Sequence, residues 1–207
     1  MHTVRLQSLV SRFWVESESV FNRFSYVFPT GHETCSQFHL WCQEMCVIRL
    51  LDAWARFCRE LVLFSATEKP LTAGGTRLPL APGIATRKDA LQKLQSVYSK
   101  LPYEPRWHDA QACLNGASLL GVANYPNISA GIGVTPSPLE DLRHLRNFVA
   151  HRNDRTAARV RVAATNILVA PTSDVIAILQ SPSKSPPATV LQLWIRQLQA
   201  MSQIAVR

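Results

Sequence analysis

Long apolar runs are missing from the 207-residue sequence. No stretch approaches the roughly 18 apolar residues of a membrane-spanning helix, so the reading is "no membrane". The first twenty residues, MHTVRLQSLVSRFWVESESV, interrupt their apolar positions with Arg5, Arg12, Glu16 and Glu18. They therefore lack the apolar core of a secretory signal. Glycine is sparse, at 8 residues against 13 prolines, which excludes collagen-like and glycine-linker designs. The five cysteines are an odd number without small-domain disulfide spacing, so reduced thiols and a cytoplasmic location are expected. Gly74-Gly75 and Gly131-Ile132-Gly133 are not followed by Lys-Ser/Thr, which argues against a phosphate loop. No Gly-x-Ser-x-Gly elbow occurs.

Charge is also scarce, at 17% of residues, and lopsided: 22 Lys+Arg against 14 Asp+Glu give a net +8. The cations are 17 Arg and only 5 Lys. A cationic, arginine-heavy surface favours anionic partners, because guanidinium matches phosphate geometry. The 47% hydrophobic content is enough for a real core.

The apolar residues follow helical spacing. Leu6, Leu9, Val10, Phe13, Phe21 and Phe24 predict a first helix that ends at Pro29 and Gly31. A second long helix is expected from about His32 to Phe64, a third from Arg87 to Leu101, and a short one from Asp109 to Val122. Residues 66–86 and 124–137 read as loops, from their Pro and Gly. Ser137, Pro138 and Glu140 form a capping-box start for a helix running to His151 or Arg152. Asp154 is a cap for a segment over Arg155–Asn166. Residues 167–180 have no settled reading, 181–187 read as a linker, and a terminal helix covers Ala188–Ile204. The expected fold is all-α: an antiparallel helical bundle over 1–165 with a C-terminal helical extension over 166–207, or a single domain.

The most informative stretch is Arg146-Asn147-x-x-x-His151 on the capped helix. Arginine clamps phosphate bidentately, histidine moves protons near neutrality, and the asparagine amide orients a neighbour. These parts suffice for metal-free RNA cleavage, in which the 2′-hydroxyl is the nucleophile. Asn147 and His151 are i,i+4 neighbours, whereas Arg146 lies about 140° around the helix from His151. Either the arginine reaches around, or two helices pool their side chains across a two-fold axis.

This pattern resembles the HEPN superfamily, whose signature is Arg, a polar residue, and His four to six residues after the Arg. Arg146, Asn147 and His151 match it. The resemblance implies an all-α bundle, a homodimer with a composite cleft and metal-independent endoribonuclease activity without cofactors. It also implies a toxin or antiphage defence effector with a possible antitoxin or defence-system partner protein. In that role Arg146 stabilises the scissile phosphate, His151 is the general acid/base and Asn147 supports both. One subgroup carries a modifiable Tyr two residues after the His; Asn153 stands there, so that regulation is not carried over.

Six Arg fall within 143–161, with Asp154 the only acid. Arg143, Arg152, Arg155 and Arg159 are the expected RNA contacts around the motif. Glu60 and His144 are auxiliary candidates, Glu60 to orient His151 or Arg146. The alternative functional reading is a catalytically inactive HEPN-type subunit that binds RNA or nucleotide, or scaffolds a complex. The plain alternative is a helix end whose cations answer the helix dipole. Cys35, His39, Cys42 and Cys46 line one helical face, but spread over about 16 Å they exceed a single zinc shell, so no metal site is assigned. The tryptophans read mostly as core.

Overall fold

The computed structural model describes residues 5–26, 37–98, 104–134, 138–167, 171–182 and 188–207. Among these the chain is all-α. It forms α1 (Leu6–Tyr26), α2 (Gln37–Thr67), α3 (Arg87–Gln95), α4 (Ala110–Leu120), α5 (Tyr125–Ile132), α6 (Pro138–Ala150), α7 (Asp154–Asn166), α8 (Val175–Gln180) and α9 (Val190–Ala205). Only isolated bridges, such as Arg5 with Leu71, stand in for sheet. No helix among the described residues is long and apolar enough to cross a membrane.

The chain divides into two compact units, each discontinuous in sequence. One comprises Met1–Trp14, Ala53–Ser137 and Leu198–Arg207; the other comprises Val15–Asp52 and Pro138–Gln197. Helices α1, α2 and α9 are each shared between them, and no unit edge falls near residue 165.

The first unit is built on aromatic packing. Trp54, wholly buried, meets Phe13 edge-on with ring centroids 5.4 Å apart, and Phe57 lies 5.4 Å from the same ring. The loop after α2 is tied down by main-chain bonds, Leu6 N–H to the Leu71 carbonyl and Ala73 N–H to the Val206 carbonyl. These satisfy backbone groups that a loop would otherwise leave bare. Asp109 caps α4 through the Ala112 N–H, and Gly121 ends it at φ 73°, a left-handed conformation that glycine adopts without strain.

Residues 125–132 correct the loop expected over 124–137. They form α5, with Pro126 in the first turn and Ile128 and Ile132 buried. Proline is tolerated in a first turn because its missing N–H is one of the unpaired donors there anyway. Gly131 is a packing residue of that helix, not a loop residue. Helix α3 stops at Gln95, short of the expected Leu101, and residues 99–101 lie outside the described residues. The unsettled stretch includes α8, capped by the Asp174 carboxylate.

Candidate functional site

Helix α6 begins at Pro138, as its start signal indicates; Ser137 itself lies outside the described residues. Leu139, Leu142 and Leu145 are buried and set the helix's orientation. At 100° per residue, Glu140, His144, Asn147 and His151 then fall within about 60° of each other on the opposite face. The stripe is therefore fixed by the leucine pattern, not by the polar residues themselves.

Arg146 points away from this stripe, but its guanidinium returns to it: Nη1 donates to Asn147 Oδ1 at 3.3 Å. The guanidinium is thus joined to its sequence neighbour, Asn147. His151 is the first residue beyond α6, and its imidazole is exposed. Its backbone is held on both sides. Its N–H donates to the Asn147 carbonyl at 2.9 Å, and its carbonyl accepts from Thr156 Oγ1 at 2.7 Å and from Asn153 Nδ2 at 3.2 Å. Asn153 is also the N-cap of α7, in a capping box with Thr156. The cap expected at Asp154 thus sits one residue earlier, because Asn153 is the residue in extended conformation. The α6–α7 turn is a rigid mount for an exposed imidazole.

The expected RNA-binding arginines separate in role. Arg152 donates to the carboxylate of Glu44 on α2 and lies over the Phe148 ring at 5.6 Å. Its charge is offset by Glu44, so it fastens the turn more than it offers an open phosphate contact. Arg155 is exposed at the start of α7. Arg143 and Arg159 line an open concavity of about 420 Å³ between α6 and α7, with Glu140, His144, Ala158 and Val162. Arg143 lies 3.6 Å from Glu140, and His144 Nε2 is 3.7 Å from the same Glu140 oxygen. Burial holds His144 below the usual histidine range; Arg143 and Arg159 push the same way and Glu140 opposes them. His144 Nδ1 is buried and finds no hydrogen-bond partner among the described residues.

Glu60 belongs to the other unit. Its carboxylate accepts hydrogen bonds from Arg87 and Arg59, and the Arg87 bonds chiefly hold its pKa below the usual range. Arg59 also grips Glu104 at 2.7 and 2.8 Å. The Glu60 oxygens thus take part in a network with Arg59 and Arg87.

Asp141 is the residue that sequence reading passed over. Burial, reinforced by Glu140, raises its carboxyl to about 6, and a hydrogen bond with Asn166 opposes the shift. The sequence signal was the pair of adjacent acids in the first turn of α6; what it lacked was the burial. A carboxyl near 3.8 unfolded and near 6 folded binds its proton more tightly in the folded state. The ionised form is therefore a penalty, full above about pH 6 and gone only below the unfolded value of 3.8, at about pH 3. Asp141→Asn is expected to raise stability above pH 6 by on the order of 1 kcal/mol, after discounting for solvent screening. That is about 2–4 °C in Tm for a chain of this size. The gain should vanish by about pH 3 in thermal melts; an equal gain at both pH values means that burial of Asp141 is not its cause.

Among the described residues, no three His, Cys, Asp or Glu gather as metal ligands. Of the Cys35-His39-Cys42-Cys46 face, Cys35 and the His39 side chain lie outside the described residues. The Cys46 thiol is pushed up to about 11 by burial and donates to the Cys42 carbonyl, as a core thiol does. Trp54, Trp107 and Trp194 are core, whereas Trp14 and Trp41 are 41% and 53% exposed.

No family model matches the chain, and no curated protein or solved structure matches it either.

Proposed function

We propose that the protein is a metal-independent endoribonuclease of the HEPN type, working as a homodimer in a toxin or antiphage defence setting. The observation that carries the reading is the Arg146–Asn147 contact beside an exposed His151 whose main chain is fixed by Asn147, Asn153 and Thr156. In the proposed reaction the 2′-oxygen attacks phosphorus as His151 takes its proton. The P–O5′ bond breaks, and the 5′-oxygen leaves with a proton from a second imidazole, His151 of the other copy. Arg146 neutralises the non-bridging oxygens, where charge develops. The products are a 2′,3′-cyclic phosphate and a 5′-hydroxyl.

The concavity favours a second reading. It is lined by Arg143, His144 and Arg159 and not by Arg146, Asn147 or His151, as suits a module that binds RNA or nucleotide without cutting. One assay separates the two. Purified protein is incubated with mixed cellular RNA and with a 2′-O-methyl RNA, both in EDTA. The nuclease reading expects cyclic-phosphate ends from the first and intact, bound 2′-O-methyl strand from the second. Binding of both without any cleavage transfers the site to the second reading.

A further inference from the structure

The motif occupies one end of the α6 stripe; the other end carries His144, which lines the concavity with Arg143 and Arg159. Arg143 and Arg159 stand on different helices, yet both bear on His144 electrostatically, so their positive fields converge on one imidazole. That imidazole presents Nε2 toward Glu140 and keeps Nδ1 buried. With Nδ1 buried, Nε2 is the ring nitrogen that faces an anion and can donate its N–H to it. Glu140 is a local counter-ion, shared at 3.6 and 3.7 Å between Arg143 and His144, but its side chain is 72% exposed and weakly held. Such a carboxylate is easily displaced by an anion of higher charge. Beside these polar groups the wall turns apolar: Ala158 and Val162 line the same concavity, and Val162 is 60% exposed. The volume of about 420 Å³ falls in the small-ligand range.

We infer that the α6–α7 concavity is a nucleotide-phosphate site. Arg143, Arg159 and His144 Nε2–H hold the phosphoryl oxygens in place of the Glu140 carboxylate, and Ala158 and Val162 carry the sugar or base. Seven residues separate His144 from His151, roughly 10 Å along α6. The phosphate held here is therefore not the one at His151. Where the chain is a ribonuclease, this is a subsite for a neighbouring nucleotide that sets the strand's register; that part rests on the nuclease reading, whereas the phosphate site deepens the binding reading of the same concavity and rests on it.

The test uses the full chain, with histidine NMR signals assigned through His144→Gln and His151→Gln. Inorganic phosphate, adenosine 5′-monophosphate and a 2′-O-methyl oligonucleotide are titrated separately. The monophosphate should shift His144 and leave His151 unmoved, and it should bind more tightly than inorganic phosphate. Arg159→Ala should weaken it at least tenfold. Glu140→Gln should tighten it about twofold to fivefold, the worth of one exposed ion pair. Arg196→Ala removes an exposed cation on α9 and should change nothing. Displacement of the monophosphate by the oligonucleotide assigns the site to an RNA chain; failure to displace it assigns a free nucleotide. The inference falls if His144 does not respond, if Glu140→Gln weakens binding or leaves it unchanged, or if the monophosphate binds no better than phosphate. Cleavage is scored in parallel. RNA cut by a protein with a silent His144 overturns this site and keeps the nuclease, and a responsive His144 without cleavage does the reverse.

Discussion

His151→Ala is expected to lower RNA cleavage by about a hundredfold to ten-thousandfold, the range for losing a positioned general acid or base. It should do so with the fold intact. The imidazole is exposed, and the bonds that fix the α6–α7 turn run through the His151 main chain, which alanine retains. Arg146→Ala should cost about a hundredfold to a thousandfold, as for loss of an electrostatic donor to the transition state. It should also leave Asn147 free to turn, since Oδ1 loses its guanidinium contact. Initial rates on an end-labelled RNA in EDTA measure both, and thermal melts of the same samples check folding. Undiminished rates in either variant place the chemistry elsewhere in the chain.

The site was legible as far as helical arithmetic reaches. The i,i+4 relation of Asn147 and His151 follows from residue spacing, and the His151 N–H does donate to the Asn147 carbonyl. The start of α6 at Pro138 agrees with proline's place in a first turn, a property of near neighbours in sequence. Contacts between distant residues were not legible. Glu44 meets Arg152 across 108 positions, and no local pattern forecasts that an expected phosphate contact is already paired. Arg159 joins His144 and Arg143 only because α7 folds back beside α6, so the concavity is a property of the helix pair. Glu60 has one partner next to it in sequence, Arg59, and another, Arg87, 27 residues away that no local pattern forecasts. The acids of α6 show the same limit. Glu140 and Asp141 are neighbours of like charge, yet one is exposed and the other is buried enough to hold its proton near pH 6.

Glycine in α5 is where local rules and packing disagree most sharply, and the second large effect follows from it. Gly131 sits inside a helix, where propensity favours alanine by about 1 kcal/mol. A Cβ built there would lie 2.6 Å from the Met201 carbonyl oxygen, 2.7 Å from the Ala205 nitrogen and 2.8 Å from the Ala205 Cβ. The first two are backbone atoms of α9, so no rotamer change relieves the clash and the two helices must part. Overpacking of this kind costs about 1–3 kcal/mol, and occasionally more. With backbone on the receiving side, the upper end applies and the packing term outweighs propensity. Gly131→Ala should therefore destabilise the protein by about 2 kcal/mol, lowering Tm by about 4–8 °C. Gly74→Ala is the matched control, since its nearest neighbour is Thr72 Oγ1 at 3.8 Å, an ordinary contact. Parallel melts decide the point: a Tm that rises in Gly131→Ala means that propensity governs and that α5 does not press on α9. A fall confined to Gly131→Ala locates the cost in the contact that this glycine permits.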